Sequence, residues 1–294
     1  MVKLFSPVAA RNRIFNRRRA LMNEKISLAG DLGSGKSTVS KILIPRLGAE
    51  YYSTGAIVRS IAEERGMTVV ELNRYMETHP EIDHEIDDGV ARLADMDKPL
   101  IIDSRMAWHF TKGTFKVYLS ADIEISALRI MGANRKGEHS ASLEDTIADT
   151  KARRESEIKR YFEQYGVNIK DLSNYDLIVD TSYASPEEIA ECIICAFEEW
   201  KKDKDYKKVF VSPERLFYPD DEADAEKIAE YSSRLERGEL MPEILVAERE
   251  GEFYLVCEAE SALALAFNMN TFIPATLVSR DIDENSFVKM KNSI

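Results

Sequence analysis

Short apolar runs alternate with amphipathic stretches along the first two thirds of the chain. The runs PLIID at residues 99–103 and DLIVD at 176–180 are apolar almost throughout. Apolar runs of this length between polar turns are typical of buried strands. The pattern predicts strands at residues 25–29, 50–52, 99–103, 116–119 and 176–180.

The stretches between these runs carry helix signals. Thr68 with Glu71, and Ser142 with Asp145, have the spacing of helix N-terminal caps. Predicted helices cover residues 35–47, 57–65, 68–78, 81–95, 122–134, 142–164 and a last one from 186. Pro45 should bend or end the last turn of the first helix. Apolar strands separated by helices predict an α/β fold, a five-stranded parallel sheet covered by helices on both faces.

The pattern changes after the lysine-rich stretch at residues 201–208, which we interpret as a linker. We predict one domain over residues 24–202 and a small α+β domain over residues 209–294. In the second, strands are predicted at residues 209–211, 243–247, 252–256 and 276–278, and helices at 223–236 and 261–268. Residues 212–260 hold 15 acidic and 5 basic side chains, so this domain is acidic.

Charge narrows the classes of partner. The formal net charge of −12 disfavours binding to nucleic acid, which depends on lysine and arginine at the phosphates. No apolar run approaches the ~18 residues that span a membrane, so we expect a soluble, cytoplasmic protein. Residues 1–23 are rich in arginine and contain no acid, which fits a transit peptide or an over-long start. We expect this basic segment to be disordered.

The sequence Gly30-Asp31-Leu32-Gly33-Ser34-Gly35-Lys36-Ser37 carries the clearest chemistry. It fits the phosphate-binding pattern G-x-x-x-x-G-K-[ST], and it follows a predicted strand and opens a predicted helix. Backbone amides of Gly30, Gly33, Ser34 and Gly35, with the helix start through Thr38, should bind the phosphates of ATP. Lys36 should reach the β- and γ-phosphates, and Ser37 should ligate Mg²⁺. The expected fold is therefore that of the P-loop NTPases.

Two other strand ends deliver polar side chains to the edge where ligands bind in open α/β sheets. Arg59 lies one turn into the helix after the second strand, where it either grips a second anion or is simply solvated. Asp103 ends the third strand and could hold Mg²⁺ directly or through water, and Arg105 could meet the phosphate of an acceptor.

Arg153 and Arg160 are seven residues apart and so share one face of a predicted helix. Two arginines there could close over a transferring phosphoryl group. The alternative is a solvated, charged helix stabilised by salt bridges.

Residues 25–200 resemble the short, archaeal-type cytidylate kinases of the nucleoside monophosphate kinase family. The matching stretches are GDLGSGKSTVSKIL, YYSTGAIVRSIAEERGM, PEIDHEID, LIIDSRMAW and RRESEIKRYFEQYGVNIKDLSNYDLIVDTSYASPEEI. The resemblance implies that Thr54, Arg59 and Arg105 contact the acceptor nucleotide and that Arg153 and Arg160 are lid arginines. It also implies that Thr181 and Ser182 contact the adenine of ATP.

The chain departs from this family in three ways. Ser104 stands where a glycine is usual, Pro45 interrupts a usually regular helix, and the larger acceptor-binding insertion of bacterial cytidylate kinases is absent. Residues that recognise cytosine therefore cannot be carried over from that family to this chain.

Residues 209–280 resemble, more weakly, the N-terminal domain of ParB-like proteins. That family has Gly-x-x-Arg where this chain has Glu258 and Ser261, so we expect no nucleotide binding there. A regulatory, scaffolding or self-associating role, through a protein partner or a second copy, is the better interpretation.

We therefore expect ATP-dependent phosphoryl transfer to a nucleoside monophosphate, most readily CMP or dCMP, with Mg²⁺ as cofactor. Lys36, Arg105, Arg153 and Arg160 would be the catalytic residues, Asp103 would serve both the metal and the acceptor, and no general base is needed. Two alternatives stay open. One is a nucleotide-sensing regulator acting through the C-terminal domain, and the other is a kinase for another small metabolite.

Overall fold

The computed structural model describes residues 24–133, 142–220 and 223–289. The basic segment 1–23 therefore lies outside the described residues. The described residues divide into two compact units, one within Met22–Tyr206 and the other within Lys207–Ile294. No helix in the described residues is long and apolar enough to cross a lipid bilayer.

The first unit is built on five strands. They are β1 (Lys25–Gly30), β2 (Glu50–Ser53), β3 (Leu100–Asp103), β4 (Phe115–Ser120) and β5 (Leu177–Asp180). Their order across the sheet is β5-β4-β1-β3-β2, and every neighbouring pair is parallel. All the carboxyl ends therefore lie along one edge.

Eight α-helices of the first unit separate or follow these strands in the described residues. They are α1 (Lys36–Leu47), α2 (Thr54–Glu64), α3 (Val69–Met76), α4 (Pro80–Arg92), α5 (Ala107–Phe110), α6 (Ile123–Gly132), α7 (Leu143–Tyr165) and α8 (Pro186–Lys202). The predicted caps hold, because Thr68 and Glu71 form a capping box and Ser142 caps α7. Pro45 lies within the last turn of α1, which ends at Leu47 before Gly48.

Helices cover both faces of this sheet. Leu100 and Ile102 of β3 pack with Val90 of α4 and Ala107 of α5. Ile101, which points to the opposite face because strand side chains alternate, is fully buried. Helices α1 and α8 pack against each other and against strands of this sheet. The α/β fold class predicted from the sequence is confirmed.

The second unit contains the strands β6 (Lys208–Val211), β7 (Leu216–Pro219), β8 (Ile244–Arg249), β9 (Glu252–Cys257), β10 (Ile273–Leu277) and β11 (Phe287–Lys289). Two α-helices, α9 (Ala225–Glu236) and α10 (Ala259–Phe267), pack against each other. Strand pairing is mixed, with β8 and β9 antiparallel and β8 and β10 parallel. The sequence did not predict β7 or β11, which are short and lack a clear period of two.

Candidate active site

The loop between β1 and α1 depends on three glycines in left-handed or related conformations. Gly30, Gly33 and Gly35 have φ angles of 143°, 74° and 82°. Other residues are disfavoured at such angles, because a Cβ atom would meet the backbone. The loop ends where α1 begins at Lys36, so the helix N-terminus faces the loop with its positive end. Ser34 is fully buried, whereas Thr38 is exposed.

Lys36 folds back over this loop. Its Nζ donates hydrogen bonds to the carbonyl oxygens of Gly30 at 3.0 Å and Asp31 at 2.7 Å, and to Ser34 Oγ at 3.3 Å. Burial, aided by the nearby Arg105 cation, lowers the pKa of Lys36 to about 7, against the opposing effect of Asp103 and other acids. A bound phosphate would restore the full charge of this ammonium group, since an adjacent anion favours the charged form.

Asp103 stands at the end of β3, level with Ser53 at the end of β2. Tyr51 Oη donates a hydrogen bond of 2.7 Å to Asp103 Oδ2, and Ser53 Oγ donates one of 3.3 Å to the same atom. Thr54 Oγ1 donates to the backbone carbonyl of Asp103 at 3.3 Å. This carboxylate is thus oriented at the carboxyl edge of the sheet, and it is close enough to Lys36 to oppose the lowering of that lysine's pKa.

Arg59 lies on α2, whose first residue is Thr54 and whose cap is Ser53. It is half-buried, and its guanidinium lies near Gly55 at the start of the same helix. The structure therefore places Thr54 and Arg59 on the element that continues directly from the strand beside Asp103.

Glu157 of α7 binds two of the predicted arginines together. Arg105 Nε donates to Glu157 Oε2 at 2.8 Å, and Arg153 Nε donates to Glu157 Oε1 at 3.1 Å. Burial opposes ionisation of Glu157, but Arg105 and Arg153 prevail and lower its pKa to about 2. This glutamate was not predicted from the sequence, although its Arg-x-x-x-Glu spacing on a helix is typical of an ion pair.

Arg160 is directed elsewhere. Its guanidinium donates to Asp83 Oδ2 of α4 at 2.8 Å and to Asn73 Oδ1 of α3 at 2.9 Å, and its side chain is 3% exposed. These contacts tie α7 to α3 and α4 and do not bring Arg160 to the phosphate-binding loop. Its predicted contact with a transferring phosphoryl group remains a prediction.

Thr181 and Ser182 follow β5 and are buried. Arg129 of α6 donates hydrogen bonds to the carbonyl oxygens of Thr181 at 2.6 Å and Ser182 at 3.1 Å. Gly33 of the loop packs against Ser126 on the same helix, where an added Cβ would come within 2.5 Å of the Ser126 carbonyl oxygen. Thr181 and Ser182, which are predicted to contact adenine, are therefore connected to the loop through α6. Arg129 was not predicted from the sequence.

A second group of ion pairs, centred on Asp31 of the loop, was also not predicted from the sequence. Asp31 pairs with Arg154 of α7 and with Lys170, whose Nζ lies 3.1 Å from Asp31 Oδ1. These residues line a cleft that is partly open to solvent, together with Arg105 and Glu157. Arg154 and Lys170 are 123 and 139 residues from Asp31 in the sequence, so no local pattern predicts these ion pairs.

The first unit is similar in sequence to known proteins. The family described as cytidylate kinase-like matches residues 25–183. The cytidylate kinase of Sulfurisphaera tokodaii is 40% identical over 57% of this chain and 92% of its own length. Those of Thermoplasma volcanium and Archaeoglobus fulgidus are each 35% identical, over 62% of this chain and 95% and 99% of their own lengths.

These matches include the loop, the Asp103–Arg105 edge and the arginine-rich helix α7, and they leave about two fifths of the chain unmatched. The resemblance seen in the sequence is confirmed for the first unit, whereas the ParB-like interpretation of the second gains no support from these matches. The chain belongs to the cytidylate kinase-like family.

Proposed function

We propose that this protein transfers the γ-phosphoryl group of ATP to a nucleoside monophosphate, with CMP or dCMP as the preferred acceptor. The observation that supports the proposal is that two sets of polar and cationic side chains lie at the carboxyl ends of neighbouring strands, where they could hold phosphates and Mg²⁺. Lys36 and its loop follow β1. Asp103 is the last residue of β3, which pairs directly with β1, and Arg105 comes two residues later. Family membership and the name shared by the archaeal relatives support the acceptor class.

The donor half would consist of the loop Gly30–Ser37 and the start of α1. Backbone amides there, with Lys36, suit the β- and γ-phosphates because positive φ angles let the chain curl around an anion. Thr181, Ser182 and Arg129 would border the adenine, since α6 connects them to Gly33.

Magnesium fits this site as an ion shared with the nucleotide. In the described residues no three His, Cys, Asp or Glu side chains form a metal cage. Mg²⁺ is commonly held by one or two protein oxygens plus substrate phosphates and water. Ser37 and Asp103 supply a hydroxyl and an oriented carboxylate of that kind. When bound, the ion would neutralise charge that develops on the phosphoryl oxygens.

The acceptor half would use Thr54, Arg59 and Arg105. The attacking atom is a phosphate oxygen, which is already ionised at neutral pH, so no general base is required. The arginines would overcome repulsion between two anions and position them in line, which is where most of the rate enhancement in such reactions arises. Arg153, held beside Arg105 by Glu157, would add to the same positive field.

The function is tested by measuring ADP release from ATP and Mg²⁺ with CMP, dCMP, UMP, AMP, GMP or no acceptor. We expect strong stimulation by CMP or dCMP over the background without acceptor. Stimulation only by a different phosphorylated or hydroxylated metabolite would retain the kinase and change the acceptor. Tight ATP binding with no stimulation by any acceptor would favour the nucleotide-sensing regulator.

Glu157→Gln should reduce kcat about 10-fold, because loss of the negative charge lets Arg105 and Arg153 repel each other and leave their positions. Glutamine keeps the size and one acceptor atom, so the fold should persist. Glu155→Gln, an exposed residue on the same helix, is the matched control and should retain wild-type kcat. Equal kcat values for the two variants in steady-state assays would contradict this role.

For the second unit, we propose a regulatory or scaffolding role that acts through protein contacts, including self-association. Glu258 adopts a left-handed conformation with φ of 64° at the start of α10, and Ser261 is fully buried. A negative charge at that helix start is unsuited to a phosphate ligand, which supports an assignment other than nucleotide binding.

A further inference from the structure

Asp31 is an unusual residue for a loop that binds a polyanion. It follows Gly30 directly, and its side chain is 4% exposed. Its carboxylate accepts hydrogen bonds from Tyr118 Oη at 2.5 Å and from the backbone amide of Ala121 at 3.0 Å. Both contacts come from β4 or its carboxyl end, so the carboxylate is fixed against the sheet.

The charge of Asp31 is stabilised by two cations. Burial by itself would raise the pKa of Asp31, but Lys170 and Arg154, with the hydrogen bonds from β4, hold it well below the usual range. The group is therefore ionised at neutral pH. A buried carboxylate in this position needs such partners, because an unpaired buried charge is strongly destabilising.

Both cations come from one part of the chain, α7 and the segment that follows it. Arg154 belongs to α7, and Lys170 lies beyond the end of that helix and also bonds to Tyr118 Oη at 2.9 Å. Their side chains are 26% and 23% exposed, so each is held at the border between the interior and solvent. Asp31 thus connects α7 and the segment after it to the phosphate-binding loop.

The same group lines the cleft beside Lys36. Gly30 and Asp31 contribute to its wall, and their carbonyl oxygens accept the hydrogen bonds of Lys36 Nζ. Arg105 and Glu157 also line it. Of the arginines on α7, Arg153 is paired with Glu157 and Arg160 with Asp83, so Arg154 is the one held against the loop.

We propose that Asp31 is a positioning residue that keeps Arg154 and Lys170 beside the loop, where both meet the terminal phosphate of the donor. The inference rests on the proposed phosphoryl transfer. In this arrangement α7 is already drawn towards the loop before the nucleotide arrives. When ATP binds, Arg154 and Lys170 move only a short distance, from the Asp31 carboxylate to the terminal phosphate. Binding therefore costs less conformational entropy, because these side chains are already ordered.

Asp31→Asn tests this role, with two control variants. Glu77→Gln loosens the same helix from α3, because Glu77 accepts hydrogen bonds from Ser156 and Lys159 of α7. Glu191→Gln removes a surface partner of Arg46, away from the cleft. For Asp31→Asn we expect kcat to fall about 30-fold and the KM for CMP to stay within about 2-fold, since loss of positioning mainly lowers kcat.

Hydrogen–deuterium exchange without nucleotide provides a readout besides activity. In Asp31→Asn, we expect faster exchange of the α7 amides around Arg154 and of the segment that contains Lys170, with α3 unchanged. In Glu77→Gln the faster exchange should instead include α3. If Asp31 acts only by repelling phosphate, Asp31→Asn will bind ATP more tightly and keep kcat, and that result would overturn the proposal.

Arg154→Gln and Lys170→Gln keep the test independent of how well Asp31→Asn folds, because both side chains are partly exposed. Each should lower kcat, and adding Asp31→Asn to Arg154→Gln should lower it little further. Independent, multiplying effects would contradict action through Arg154. A wild-type protein inactive with every acceptor would refute the proposed function, while ATP binding and exchange would still decide the role of Asp31.

Discussion

Lys36→Ala is expected to lower kcat/KM for the nucleoside monophosphate on the order of 10³-fold while leaving the fold intact. The side chain is the one cation of the loop itself, and its Nζ is already placed over the loop by three hydrogen bonds. Charge that moves onto the phosphoryl oxygens in the transition state would lose its nearest counter-charge. Steady-state ADP release at saturating Mg²⁺ measures the loss.

Lys41→Ala is the matched control for this variant. Lys41 is an exposed residue on the same helix, so its removal changes the charge of α1 without altering the loop. Activity of Lys41→Ala should stay within about 2-fold of wild type, as for most surface substitutions. A Lys36→Ala protein with unchanged turnover would contradict the mechanism, and far-ultraviolet circular dichroism would show whether its fold is retained.

The elements that could be predicted from the sequence are those with local causes. The alternation of apolar runs and amphipathic stretches placed β1, β3, β4 and β5 to within a residue or two, because burial on both faces leaves a continuous apolar run. The caps at Thr68 and Ser142 were predicted because the bonding partners are three residues apart. The short helix α5 has no such signal and was missed.

The residues of the candidate site also differ in whether a local pattern in the sequence predicts them. Gly30–Ser37 and the Asp103–Arg105 edge follow from a motif and from the rule that ligands bind at strand ends. The pairing of Asp31 with Arg154 and Lys170, and that of Arg160 with Asp83, joins segments far apart in the sequence. A helix with arginines on several faces gives no indication of which will point at the loop until its packing against α3 and α4 is known.

The structure therefore changes how the arginines of α7 are interpreted. Arg153 lies with Arg105 at Glu157, Arg154 lies at the loop, and Arg160 is buried towards α3 and α4. One helix thus contacts the elements proposed for both substrates. A movement of α7 would therefore displace side chains at the proposed donor and acceptor sites together. Such coupling would let the site close only when both substrates are bound.

Gly30→Ala is expected to destabilise the first unit by about 3 kcal/mol or more, at the upper end of what overpacking costs. Gly30 pairs with Leu119 across β1 and β4 and has a φ of 143°. A Cβ there would lie 2.7 Å from the Leu119 amide nitrogen and closer still to its carbonyl oxygen. Backbone atoms at the centre of a sheet cannot move aside as a flexible side chain would, so β1 and β4 must separate.

Gly48→Ala separates this clash from the cost of the backbone angle. Gly48 also has a positive φ, 63°, but an added Cβ would meet nothing within 4 Å, so only the left-handed conformation, about 1 kcal/mol, is penalised. Both tryptophans, Trp108 and Trp200, lie in the first unit, so their fluorescence during urea unfolding reports on that unit alone. Equal losses in the two variants would show that β1 and β4 accommodate the methyl group, whereas a larger loss for Gly30→Ala would show that the loop begins at glycine because the sheet leaves no room for a side chain.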